Sequence, residues 1–118
     1  MCSVAGAENQ ADVEDMLEIM KHRSPDGVGV FFDGKYSIGM GRLKIVGGDY
    51  ELPFRKGKHV LSFNGEIYNY KDIQMVLRDK GHVFTTNSDT EVVLEAYLEW
   101  GEKCLDKFNG MFAFAIYD

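Results

Sequence analysis

The sequence predicts an α+β domain built from two sheets, or from one sheet sandwiched between helices. Three observations predict it. Gly110 to Tyr117 is an unbroken apolar run, the pattern of a strand buried on both faces. Two strand-like runs, Val28 to Phe32 and Lys35 to Leu43, flank Asp33-Gly34, the strongest short-range signal for a two-residue type I′ hairpin turn. Three further segments carry apolar residues at helical spacing behind capping residues.

In chain order, Ser3-Val4-Ala5-Gly6 reads as a short buried strand ending at a glycine. Asn9 or Asp12 caps a first helix whose Val13, Met16, Leu17 and Met20 share one face. That helix must end before Pro25, because the residue preceding a proline is pushed away from helical angles. The hairpin follows. Gly47 to Lys58 mixes glycine, charge and Pro53 and reads as an exposed loop, and His59 to Phe63 supplies another short strand. Asn69 caps a second helix with Ile73, Val76 and Leu77 inward and Gly81 just past its end. Val83 to Thr85 is extended. Ser88-Asp89-Thr90-Glu91 has the form of a capping box and opens a third helix that buries Val93, Leu94, Tyr97 and Leu98 before Gly101. A short helical turn around Cys104 and Leu105 leads into the apolar strand. A strand of that kind needs neighbours on both edges and cover on both faces, more than these elements supply. The sequence therefore predicts a domain truncated at its C-terminal end or completed by a partner chain.

At 118 residues the chain is one domain, residues 1–118. Its 13 Lys+Arg against 19 Asp+Glu leave a net charge of −6, which argues against nucleic acid and against an anionic membrane as partners. Hydrophobic residues at 45% and charged residues at 27% exclude a disordered chain. The sequence shows neither a long apolar run nor a basic stretch followed by an apolar one, so a cytoplasmic location is expected. Cys2 and Cys104 have no CxxC spacing and His22, His59 and His82 no HExxH pattern, so no metal is expected. The glycine pairs around Val28 and Met40 do not extend into a phosphate-binding loop, so no nucleotide site is expected either.

Cys2 stands directly behind the initiator methionine. With Met1 removed, one residue holds a thiol and a free α-amine of pKa near ~8, a nucleophile with its own base. By themselves, the other polar candidates have plain alternatives: a tight hairpin turn for Asn64-Gly65, a surface ion pair for Arg42, and helix capping for Asp89.

Six segments occur in order: Met1-Cys2-Ser3-Val4-Ala5-Gly6, His22-Arg23-Ser24-Pro25-Asp26-Gly27, Arg42-Leu43-Lys44-Ile45-Val46, Phe63-Asn64-Gly65-Glu66-Ile67-Tyr68-Asn69-Tyr70, Ser88-Asp89-Thr90-Glu91, and Asn109 to Asp118. Together they closely resemble the N-terminal glutaminase domain of the glutamine-dependent asparagine synthetase family, class II glutamine amidotransferases of the N-terminal nucleophile hydrolase fold. The resemblance implies a four-layer αββα sandwich with antiparallel sheets. It also implies that Cys2 attacks the side-chain amide of L-glutamine, forming a γ-glutamyl thioester and releasing ammonia. Asn64 through its side-chain amide and Gly65 through its backbone N–H would form the oxyanion hole. Arg42 would hold the substrate's α-carboxylate and Asp89 its α-amino group, with backbone groups of Leu43, Ile45, Val46 and Glu66 completing the pocket.

Three positions depart from the family's usual pattern: Ser24 stands for a glycine at a turn, Met40 for a histidine, and Gly47 for an aspartate. A shifted turn and a looser loop beside the pocket are the expected consequences. The resemblance places ATP and magnesium in a synthetase domain or subunit outside this chain and leaves no cofactor within it. Two further expectations follow from the open strand: that it pairs with a partner or a second copy, and, as the alternative to catalysis, that the chain is a glutamine-binding or assembly remnant.

Overall fold

A computed structural model describes residues 2–118. Its elements are β1 (Ser3–Ala7), α1 (Gln10–Ile19), β2 (Gly27–Phe32), β3 (Ser37–Arg42), β4 (Phe54–Lys56), β5 (His59–Ile67), α2 (Tyr70–Asp79), α3 (Asp89–Trp100) and β6 (Gly110–Tyr117), with 3₁₀ turns at Lys21–Arg23 and Gly101–Lys107. They form two antiparallel three-stranded sheets, ordered β1-β3-β2 and β4-β5-β6. Helix α1 covers the outer face of the first sheet, the sheets face each other, and α3 with α2 covers the second. This is the expected α+β, αββα layering.

Local chemistry accounts for the layers. Asn9 caps α1 by accepting from the Asp12 N–H at 2.8 Å, and Val13 and Leu17 seal it against Ala5. Helix and sheet meet so closely that a Cβ at Gly39 would lie 2.5 Å from the Val13 side chain. Between the sheets, the buried Ser62 hydroxyl donates to the Gly39 carbonyl at 2.6 Å. The larger core lies on the other side of the second sheet, where Leu61, Phe63 and Ile67 meet Ile73, Leu77, Val93 and Leu94.

Several expectations need correction. Met16, Val76 and Leu98 are exposed, because each helix presents a narrower stripe to its sheet than apolar spacing alone implies. The hairpin at Asp33-Gly34 exists, but its turn is not type I′. That turn needs two residues with positive φ, and among the described residues only glycines have it. The Asp33 N–H donates to the Tyr36 carbonyl at 3.1 Å, which makes Gly34 and Lys35 the turn residues. The stretch from Gly47 to Lys58 is not wholly an exposed loop, since it holds β4 and buries Pro53 and Phe54. Strand β5 runs four residues past Phe63, and Val83 to Thr85 forms no strand.

Strand β6 is half-buried, and on one face only. Phe112, Phe114 and Ile116 pack toward α2 and α3, whereas Met111, Ala113 and Ala115 are exposed. The first sheet lies over β5 and reaches β6 chiefly through β1, and among the described residues β6 pairs only with β5. An apolar run therefore marked an edge strand whose second face has little cover among the described residues.

Candidate active site

Pairing of Ser3 with Gly41 sets Cys2 beside the end of β3. The Leu43 N–H donates to Cys2 Sγ at 3.3 Å, and the thiol donates to the Leu43 carbonyl at 3.5 Å. Arg23 Nε holds the Cys2 carbonyl at 3.2 Å. One residue further on, the buried Ser3 and Ser24 hydroxyls bond at 3.1 Å, beneath a Gly41 whose Cβ would lie 1.9 Å from Ser24 Oγ. The serine at the Arg-Ser-Pro-Asp turn thus has a partner in β1 and a space kept for it by Gly41. Met1 lies outside the described residues.

Asn64 and Gly65 sit inside β5, opposite Ala113 and Phe112, and not in a hairpin turn. Gly65 has φ +155°, and a Cβ there would lie 2.1 Å from the Met111 carbonyl oxygen and 2.6 Å from Phe112 Cα. Only glycine allows β6 to pair so closely at this point. Asn64 Oδ1 is buried without a hydrogen-bond partner among the described residues.

Arg42 ends β3 and is only 5% exposed, so it is not a surface ion pair. Its Nη2 donates to the carbonyls of Val46 at 3.3 Å and Gly48 at 2.9 Å. The Tyr50 ring stacks on the guanidinium at 4.0 Å. The loop between them is pinned from outside, where the Lys44 N–H donates to Asp26 at 2.7 Å and the Lys44 ammonium pairs with Asp49 at 3.1 Å.

Asp89 opens α3 behind the Ser88 cap, whose hydroxyl accepts from the Glu91 N–H at 3.3 Å. It is 5% exposed and takes the Ile67 N–H at 3.0 Å. Burial holds its carboxyl above the ordinary aspartate range, with the neighbouring Glu66 charge acting in the same direction, while the N–H groups of Ile67 and Thr90 oppose the shift. A buried carboxylate at a helix N-terminus, without an ion-pair partner among the described residues, is suited to receive an ammonium group.

Cys2, Arg42, Leu43, Ile45, Val46, Asn64, Gly65, Glu66 and Asp89 all line one cavity of about 80 Å³. Tyr50, Phe63, Thr90 and Met111 line it as well. Tyr50 was hidden in a stretch that looked like an exposed loop, and Met111 in a run that looked like core. Thr90 follows Asp89 directly and was readable only as part of a cap. The cavity therefore combines a thiol, a buried cation and a buried anion, which suits a small zwitterion.

The glutamine amidotransferase domain family matches residues 1–118. The chain belongs to that family. It is 37% identical to the glutamine-hydrolyzing asparagine synthetase 1 of Bacillus subtilis (strain 168), covering 100% of this chain and 21% of the relative. It is 36% identical to the glutamine-hydrolyzing asparagine synthetase B of Escherichia coli (strain K12), covering 100% and 23%. The chain thus spans about a fifth of the length of these curated relatives. Among solved structures, glutamine phosphoribosylpyrophosphate amidotransferase from B. subtilis, complexed with ADP and GMP, matches at TM-score 0.71 and 20% identity, over 98% of this chain and 34% of that one. It shares the fold. No helix among the described residues is long and apolar enough to cross a membrane.

Proposed function

We propose that this domain hydrolyses L-glutamine to glutamate and ammonia, and passes the ammonia to an acceptor site outside these 118 residues. The observation that carries the reading is the convergence of Cys2, Arg42, Asn64-Gly65 and Asp89 on one cavity. Arg42 and Asp89 grip the α-carboxylate and α-ammonium of glutamine, which aims the side-chain amide at the thiol. After removal of Met1, the α-amine of Cys2 takes the thiol proton as Sγ attacks the amide carbon. The oxyanion that forms is held by the Asn64 side-chain amide and the Gly65 N–H, each worth roughly 2.7–4 kcal/mol in such sites. The α-ammonium then returns the proton to the leaving nitrogen, ammonia departs, and water cleaves the γ-glutamyl thioester to release glutamate. Leu43, Ile45, Val46 and Glu66 complete the pocket around the substrate.

This reaction uses no cofactor. In line with the asparagine synthetase relatives, the acceptor belongs to a synthetase domain or subunit that would carry the ATP and magnesium chemistry, and the location is cytoplasmic. The reading is tested with 6-diazo-5-oxo-L-norleucine, a glutamine analogue whose diazoketone carbon alkylates a thiol with loss of N₂. Mass spectrometry is expected to place the adduct on Cys2, with L-glutamine protecting it. Equal labelling of Cys2 and Cys104, unaffected by glutamine, would contradict the reading.

A further inference from the structure

We propose that Tyr50 is the positioning residue that ties the carboxylate-binding cation to the ammonium-binding anion and so sets the pocket's selectivity for an α-amino acid. This rests on the glutaminase reading above.

Arg42 Nη2 is committed to the Val46 and Gly48 carbonyls, which leaves the Nε–H and the Nη1 hydrogens without a protein acceptor among the described residues. The segment that provides those carbonyls contains neither helix nor strand. Two residues past Gly48 it returns Tyr50 onto the guanidinium, with the ring centroid 4.0 Å from Cζ. The ring is itself fixed edge-on by Phe54, with centroids 5.3 Å apart and planes at 85°. Its hydroxyl bonds the Thr90 hydroxyl at 2.7 Å, and Thr90 adjoins Asp89 at the start of α3. On the same side, Gly47 lies so close to the Ser88 cap that a Cβ on it would meet Ser88 Cβ at 2.6 Å. One side chain thus touches the cation directly and the anion's backbone neighbour through a single hydrogen bond. An aromatic ring on the guanidinium fixes the orientation of the planar group, and with it the direction of the in-plane Nη1 donors that a carboxylate can meet. Burial raises the Tyr50 hydroxyl above its ordinary value, so it stays a neutral donor or acceptor throughout the working range.

The expected behaviour is a KM effect. Tyr50→Phe keeps the stack and loses the Thr90 bond, raising KM for L-glutamine about 3–10-fold with kcat within twofold of wild type. Thr90→Val should match it, and the double variant should be no worse than either single change, because both remove the same bond. Tyr50→Leu also loses the stack and should raise KM about 10–100-fold.

The deciding comparison uses 4-aminobutanamide, which is glutamine without its α-carboxylate. Its kcat/KM should fall in Tyr50→Leu by no more than the roughly 3–10-fold of Tyr50→Phe, since it engages Asp89 but never Arg42, so selectivity for glutamine drops by the share that the stack contributes. An equal loss on both substrates would show Tyr50 to be general packing and overturn the inference. Unchanged KM in both Tyr50 variants, from a protein whose wild type is active, would also overturn it and leave the glutaminase reading standing. Wild-type protein that neither hydrolyses L-glutamine nor binds it by calorimetry would overturn the glutaminase reading, and this inference with it.

Discussion

Replacing Glu91 should damage the fold of the site more than replacing any exposed carboxylate. Glu91 is fully buried in the first turn of α3. One oxygen accepts from the Thr86 N–H at 2.6 Å and its hydroxyl at 2.7 Å. The other takes the Thr85 N–H at 3.0 Å, the Thr85 hydroxyl at 3.2 Å and the Lys56 ammonium at 3.1 Å. Lys56 in turn contacts Glu95, which bonds His82 Nδ1 at 2.5 Å. Burial pushes the Glu91 carboxyl up, but the Thr85 and Thr86 donors and Lys56 outweigh it and hold it below the ordinary glutamate value. Glu91→Ala leaves two backbone N–H groups and an ammonium without this acceptor, a loss of about 3–5 kcal/mol. At roughly 4 °C per kcal/mol for a chain of this size, Tm should fall by about 12–20 °C. Glu91→Gln keeps the volume and one acceptor but loses the charge, and about 2 kcal/mol is expected. Because the folded pKa is depressed, the stabilisation is complete above the ordinary value of 4.5 and is lost as pH falls through the folded value. Urea unfolding followed by circular dichroism, at pH 7 and near pH 3, measures both effects. A Glu91→Ala protein within about 1 kcal/mol of wild type, or a Glu91→Gln deficit equal at the two pH values, would refute the reasoning.

The remaining predictions concern β5 and the pocket. Gly65→Ala should cost about 2–4 kcal/mol and abolish glutamine turnover, because its Cβ would collide with the backbone of β6; thermal unfolding and ammonia release check both. Asp89→Asn should raise stability at pH 7 by about 0.5–1 kcal/mol, since it removes a buried charge while an amide oxygen still accepts from Ile67. The Asp89 pKa is raised in the fold, so this gain should vanish as pH falls through the folded value toward the ordinary 3.8. The same variant should raise the glutamine KM at least about tenfold, by loss of a charge-assisted bond. In wild type, KM should climb as acid protonates Asp89.

The sequence disclosed much of this architecture because its signals were local. The Asn9 cap with Val13 and Leu17, the strand-turn-strand pattern around Gly34, and the Ser88 cap each specify an element through neighbouring residues alone. What stayed hidden depends on partners far along the chain. Pro53 and Phe54 look like loop residues until β5 and Tyr50 close over them. Glu91 looked like half of a reciprocal cap, yet it reaches Thr85, Thr86 and Lys56 and not the Ser88 N–H. The apolar run of β6 could not reveal which of its faces the first sheet leaves uncovered. In the site, motifs pointed to the thiol and the charged groups that line the cavity, whereas Tyr50 belongs to no motif and is visible only once the loop has folded onto Arg42.

The most direct measurement is ammonia release from L-glutamine by protein whose intact mass shows Cys2 at the N-terminus, run beside Cys2→Ala. Turnover is expected from the first and none from the second, with L-glutamine still bound by the variant. Turnover that survives Cys2→Ala, or its absence from the protein with a free Cys2 amine, would contradict the account.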